Sequence, residues 1–453
     1  MMDVLLLIDM NAKIQIHLRI KQNFKLFIKI MNSQIFAVII LFFCFKNLWG
    51  EEPLLLSLKQ AEDLAIENNY HINASLHRLE EGYYGYQASK AYFLPNIDLG
   101  AGVDLLGDLR GLNAALRLTQ PLYDKVASYH LKEAQIQWEQ LKLEVQQQIC
   151  DTLFQVREAY YEIVLHQAHL VVDQMIIQIW QDELKRQERH LELGASIPYE
   201  VNQTQLHLKN AWIDFYATQK NSRTSQIKLL TILSLSPDTS FSLAESHIPL
   251  PEFNWQKSER EQWKKWAFQY RPELKQQQFT FLLSQNKIQQ TKAEKSPTLS
   301  LFANVGNRYV NNGFDHQPYA AVGVNLDWTL YDPSNKQKIK QAQEESRGVA
   351  CDYYQLELET AAEIYNLLNE IEHLYQSYLA AQEGAVLAEE GMQLATKKRQ
   401  LGAMSAFEFR DTIKTLHEAQ QQVNQAKFDL RSAYDRLVQH TGIDLDMREN
   451  IHF

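Results

Sequence analysis

The chain has 453 residues, and its 16 Gly and 11 Pro make up about 6% of it, roughly half of average usage, so most of the backbone is free to be helix and collagen-like, Pro-rich disordered or many-turned all-β classes are excluded. With 45 basic and 55 acidic residues the net charge is −10; no basic surplus exists to neutralise phosphates, which argues against nucleic acid as a partner. The mean hydropathy of −0.37 excludes a polytopic helical membrane protein.

The first segment, residues 1–50, reads as a signal peptide with an N-terminal extension. The apolar run Ile35 to Phe45 follows Lys21, Lys25 and Lys29 and precedes a polar stretch beginning at Glu51. Basic, apolar, then polar is the order of a secretory signal, with Gly50 as a small residue for cleavage. A start at Met31 would discard the three lysines. Leu41 suits lipidation of Cys44, whereas Phe42 and Phe43 do not, leaving a cysteine inside a discarded signal as the simpler reading. Cys150 and Cys351 either pair or remain free thiols; no CxxC or CxxCH is present, so Cys-based zinc and c-type haem are disfavoured.

Two halves follow. Leu122-Tyr123-Asp124 recurs as Leu330-Tyr331-Asp332, and Leu193-Gly194-Ala195 as Leu401-Gly402-Ala403, both at an offset of 208. Glu200, Thr204, Leu208 and Ala211 recur at the same offset as Glu408, Thr412, Leu416 and Ala419. Upstream the offset is 202, matching Pro95 to Pro297, so the second copy carries a longer insert between Pro297 and Leu330. A repeat of this kind is one structural unit used twice. The expected organisation is a first repeat over 51–236, a linker over 237–256, a second repeat over 257–445 and a tail over 446–453.

Within each repeat the prolines punctuate. Pro95 and Pro121 frame one segment, and Pro297 and Pro333 its counterpart. Between them Ile97, Leu99, Ala101, Val103 and Leu105 alternate with Asp98, Gly100, Gly102 and Asp104; Leu299, Leu301, Ala303 and Val305 alternate with polar residues or Gly, as do Val322, Val324, Leu326 and Trp328. Period two predicts strands with one apolar face, over about 96–120 and 298–330. The turns are expected at 107–111 and 311–313, and Trp328 is expected at a lipid interface. Four strands of about ten residues have the length of outer-membrane strands. Four cannot close a barrel, and open edges are not tolerated in lipid. Either several chains share one barrel, or the hairpins pack on helices in water.

Leu122 to Leu193 contains neither Gly nor Pro, and Ile149, Leu153, Val156, Tyr160 and Ile163 recur at spacings of four and three. This predicts one helix of about 110 Å with a coiled-coil seam, followed by a turn at Gly194. A shorter antiparallel helix then runs over Tyr199 to about Leu235, with Ser196 as its candidate cap. The second half repeats this around Gly402. A soluble coiled-coil rod would show the same seams.

This arrangement resembles the TolC family of outer-membrane efflux channels. The resemblance runs from about Leu56 to Leu445 and rests on Leu94-Pro95, on Gln120 to Asp124, on Arg271-Pro272-Glu273-Leu274 and on the two Leu-Gly-Ala tips. It implies a mainly α fold with a β-barrel contribution. Three chains would form one 12-stranded barrel in the outer membrane and a 12-helix tunnel through the periplasm. A periplasmic adaptor and an inner-membrane pump complete such machines, which serve efflux or type I secretion.

The resemblance also assigns sites. The tips Leu193, Gly194, Ala195 and Leu401, Gly402, Ala403 match turns that the adaptor grips, although Gly also simply ends a helix. Glu408 and Asp411, three apart on a helix, match carboxylates that ring the closed end and would attract cations. Met404 and Arg399 depart from the family's Arg and Tyr, so Lys397, Lys398, Arg399 and Arg410 are alternative partners for those carboxylates. HExxH, GxSxG and P-loop motifs are absent from the sequence, so no enzyme, metal or cofactor is expected. An adaptor protein would carry one helical hairpin, not two with strand inserts, and a scaffold gives no reason for the strands.

Overall fold

The computed structural model describes residues 54–104, 111–251, 257–310 and 315–443. The signal segment, Cys44, the side chain of Asp104 and the turn residues 107–110 and 311–313 lie outside the described residues, whereas Gly111, expected in the first turn, opens a strand.

A small two-stranded sheet is formed by β1 (Leu54–Leu56) and β4 (Phe241–Leu243), the latter inside the expected linker. The remaining strands are β2 (Asn96–Asp104), β3 (Gly111–Tyr123), β5 (Thr298–Val310) and β6 (Asp315–Asp327). They form one antiparallel sheet in the order β2-β3-β5-β6, so the two hairpins join through β3 and β5.

The helices are α1 (Leu58–Asn68), α2 (Tyr70–Ala91), α3 (Lys125–Glu192), α4 (Pro198–Ile232), α5 (Lys257–Tyr270), α6 (Pro272–Ala293), α7 (Asn335–Gln400) and α8 (Ala406–Thr441). At 68 and 66 residues, α3 and α7 are each about 100 Å long at 1.5 Å per residue. The offset of 208 maps the last residue of α3 onto that of α7 and the first residue of α4 onto that of α8. The duplication is therefore structural as well as sequential.

The expected seam exists. Ile149, Leu153, Val156, Tyr160 and Ile163 are all at most 1% exposed. Ile149 and Leu153 pack with Ile72 of α2 and Val145. A second core gathers Trp263 and Ala267 of α5, Ile364, Leu368 and Ile371 of α7, and Leu430 and Leu437 of α8. A third joins α3, α4, α7 and α8 near the tips, through Ile176, Trp180, Ala211, Met392, Phe409 and Ile413.

Four boundaries differ from the sequence reading. Pro121 does not end the first hairpin: β3 runs through it to Tyr123, with a register shift between Pro121 and Tyr123. Proline lacks the N–H a regular ladder needs and is accommodated at such an irregularity. The helix expected from Leu122 consequently starts at Lys125, where Asp124 caps it by accepting from the Ala127 N–H at 2.9 Å. The second hairpin ends at Asp327, so Pro333 lies beyond it and just before α7. Ser196 does not cap α4; Ile197 holds the cap position, and Ser196 Oγ instead donates to Gln187 and Glu200 side chains. Pro198 at the first position of α4 needs no donor partner. Cys150 and Cys351 are not joined in a disulfide; the first is buried and the second exposed.

Packing within the helical part places each helix beside specific neighbours. Next to the sheet the order is α2-α3-α6-α7, and toward the tips it is α4-α3-α8-α7. Sheet and helices thus repeat one plan: four elements side by side, with two elements at the edges.

Candidate functional site: helix tips, aperture and sheet edges

Both tips close by the same backbone device. At the first, the Ala195 N–H donates to His190 O at 2.7 Å and the Gly194 N–H to Leu191 O at 3.0 Å. At the second, the Ala403 N–H donates to Lys398 O at 2.9 Å and the Gly402 N–H to Arg399 O at 3.3 Å. These are Schellman closures, which need a left-handed residue; Gly194 and Gly402 supply it at φ +69° and +71°. Leu193 and Leu401 project at 80% and 83% exposure. A Cβ at either glycine would meet nothing within 4 Å, so the backbone of both tips is open.

Glu408 and Asp411, the carboxylates expected at an aperture, sit in different settings. Glu408 is the third residue of α8 and forms a capping box with Ser405. Its Oε2 accepts from Ser405 N at 2.9 Å and Ser405 Oγ at 2.8 Å, while the Glu408 N–H donates to Ser405 Oγ at 3.2 Å. These hydrogen bonds, chiefly that from the Ser405 backbone, hold the exposed carboxyl below its ordinary pKa, with Lys398 adding attraction. Asp411 is exposed and lines a groove of about 440 Å³ between α4 and α8, with Tyr199, His207, Phe407 and Lys414 among its walls. Ser405-x-x-Glu408 was readable in the sequence as a capping box.

Arg399 does not pair with Glu408 or Asp411. Its Nη2 lies 2.6 Å from Glu183 Oε1 on α3, and its Nη1 donates to Met404 O at 2.9 Å. Arg186 donates to the Arg399 carbonyl oxygen. The two residues that depart from the family pattern therefore meet each other and engage α3. Glu183, the missed member, is 4% exposed; nothing in its local sequence distinguishes it from the other glutamates of α3.

Deeper in the same bundle the buried Asp173 accepts from His417 at 2.8 Å, Thr218 at 2.7 Å and Gln421 at 3.2 Å. Burial alone would raise its pKa; the three hydrogen bonds outweigh that and lower it. This network fastens α3 to α4 and α8.

The sheet presents one apolar face. Register aligns Leu99, Leu116, Val305 and Ala320 across the four strands, and Ile97, Leu118, Ala303 and Val322 one step away. Leu99 is 78% and Val322 78% exposed. The opposite face aligns Asp98, Arg117, Asn304 and Ala321, and Asn325 donates to Asp327 at 2.6 Å. Trp328 is 57% exposed, with its indole N–H donated to Lys295 O at 3.0 Å. No helix among the described residues is long and apolar enough to cross a membrane, and no metal-holding group of His, Cys, Asp or Glu occurs among them.

A four-element wall with an apolar sheet face at one end and helical hairpin tips at the other defines a channel-type protein of the outer membrane. The chain belongs to the outer membrane efflux protein family, whose model matches residues 62–234 and 265–443, one match per repeat. It is 21% identical over 433 residues to the alkaline protease secretion protein AprF of Pseudomonas aeruginosa, covering 89% of this chain and 88% of that one. Its fold is similar to the outer membrane protein VceC of Vibrio cholerae (TM-score 0.73, 14% identity, 85% of this chain and 96% of that one). It is likewise similar to the CmeC outer membrane channel of Campylobacter jejuni (TM-score 0.73, 13% identity, 86% and 88%).

Proposed function

We propose that this outer membrane efflux protein is the exit duct of a multi-protein export machine, built as a homotrimer and docked at its helix tips by a periplasmic adaptor that links it to an inner-membrane pump. The carrying observation is that the wall has unsatisfied edges at every level: β2 and β6 in the sheet, α2 and α7 below it, α4 and α7 toward the tips. An apolar sheet face belongs in lipid, and open strand edges are not tolerated there. Further copies, pairing β6 of one with β2 of the next, remove the edges; three copies supply 12 strands.

Exposed apolar residues support the same reading. Tyr70 and Tyr84 of α2, at 76% and 68% exposure, and Tyr354 and Leu358 of α7, at 64% and 68%, sit on the edge helices. In a ring, Asp411 of each copy would face the narrow end with Glu408 close behind, making that entrance attractive to cations. The chain performs no chemistry in this reading. Its likeness to a protein named for alkaline protease secretion favours a polypeptide as cargo.

Planar-bilayer recording tests the duct. The purified protein is expected to give cation-selective channels, less selective after Asp411→Asn. Absence of any conductance from properly assembled protein would refute it.

A further inference from the structure

We propose that neighbouring copies are joined near the tips by an antiparallel heptad seam, with Tyr199, Leu206 and Ile213 of one copy's α4 packed against Leu394 and Leu387 of the next copy's α7 and against Leu401 at its C-cap. The inference rests on the multi-copy reading above and adds the interface and its register.

Each row repeats at seven residues, the spacing of a coiled-coil seam. Tyr199, Leu206 and Ile213 are 64%, 53% and 63% exposed; Leu387, Leu394 and Leu401 are 67%, 58% and 83% exposed. Each row also lies on the far side of its helix. In α4 the face packed on α3 carries the buried Val201, Thr204 and Ala211; in α7 the face packed inward carries Tyr378, Ala385, Met392 and Ala395. At 100° per residue both exposed rows fall opposite these faces. A helix in a closed wall needs two neighbours on opposite sides, and here one side of each is filled and the other is apolar and open.

The rows match in height. Each starts at a tip and extends over 14 residues, about 21 Å of helix rise. The chains run in opposite directions along these helices, so Tyr199 meets Leu401, Leu206 meets Leu394, and Ile213 meets Leu387. The same register brings further groups together. The large Tyr216, 58% exposed, falls opposite Gly384, which has open space around it. The exposed Lys209 falls beside the exposed Glu390, and the exposed Lys220 lies within one turn of the exposed Glu383. Opposite charges flanking an apolar seam set partner and direction.

Disulfide trapping in the assembled full-length protein tests the register, in a Cys351→Ser background. Leu206→Cys with Leu394→Cys should yield covalent dimers and trimers on mild oxidation. The offset pair Leu206→Cys with Leu387→Cys, displaced by about one heptad or 10 Å, should yield none. Trapping of the offset pair, or of neither pair, in protein whose mass in detergent is that of several chains overturns the seam while the multi-copy reading stands. A wild-type mass of one chain overturns both. Charge reversal gives an independent readout: Lys209→Glu should lower the detergent concentration at which the oligomer dissociates, and adding Glu390→Lys should restore it. No restoration counts against the register.

Discussion

The Arg399 guanidinium closes on the Glu183 carboxylate at 2.6 Å, with side-chain exposures of 12% and 4%, and fastens the last turn of α7 to α3. A buried pair of this kind is weak evidence of net stabilisation, but removing one partner strands the other charge, at a cost of about 3–5 kcal/mol. Arg399→Ala should therefore lower the denaturation midpoint markedly and loosen the tips, seen as faster hydrogen exchange around Gly402. The double replacement Glu183→Leu with Arg399→Met should recover most of the stability. Equal losses in single and double variants would contradict the pairing.

Stability should depend on pH in two separate windows. Burial lowers the pKa of His440 below 6.5; Glu363 opposes this and Arg271 reinforces it. Burial likewise lowers His169 against the opposing hydrogen bond to the Gln421 backbone. The unfolded chain then binds protons first as pH falls. The stability from these groups is fully present above 6.5 and is lost as pH falls toward their folded values. Asp173, whose pKa is lowered, holds its contribution above 3.8 and loses it only as pH drops through its folded value. His440→Gln should flatten a melting profile between about pH 7 and pH 5 and leave the acid limb unchanged. An unchanged neutral slope would exclude His440 as a contributor.

The three left-handed glycines among the described residues should not be equivalent. At Gly194 and Gly402 a Cβ would meet nothing within 4 Å, so Ala there costs only backbone strain, about 1–2 kcal/mol. At Gly442, φ +69°, a Cβ would lie 3.0 Å from Tyr270 O and 3.3 Å from Pro272 Cδ. Gly442→Ala should therefore lower the melting midpoint more than either tip substitution. A tip variant that folds normally yet loses export would mark that tip as a docking surface.

The serines preceding α4 and α8 make a matched comparison. Ser405 caps α8 and its loss should cost about 1 kcal/mol. Ser196 makes only side-chain contacts, so Ser196→Ala should cost measurably less in chemical denaturation. Equal costs would mean that the capping geometry does not govern either helix start.

Periodicity made the helices, strands and tips legible, because a seam at spacings of four and three or an alternation of two survives any tertiary context. Pro121 misled because a strand irregularity absorbed it, which depends on the partner strand β5. Glu183 was invisible because its partner lies 216 residues away. The charge of Glu408 points to an aperture, whereas Ser405 three residues earlier makes it the partner in a capping box. The exposed rows at 199, 206 and 213 and at 387, 394 and 401 have readable spacing. Only the packing revealed that their own chain leaves them exposed.

In the proposed assembly one chain is an incomplete wall that copies of itself complete in the outer membrane. The native mass of the full-length protein extracted from membranes in detergent tests this most directly. Three chains recovered from the outer-membrane fraction is the predicted result; a single chain recovered from the soluble periplasmic fraction would contradict it.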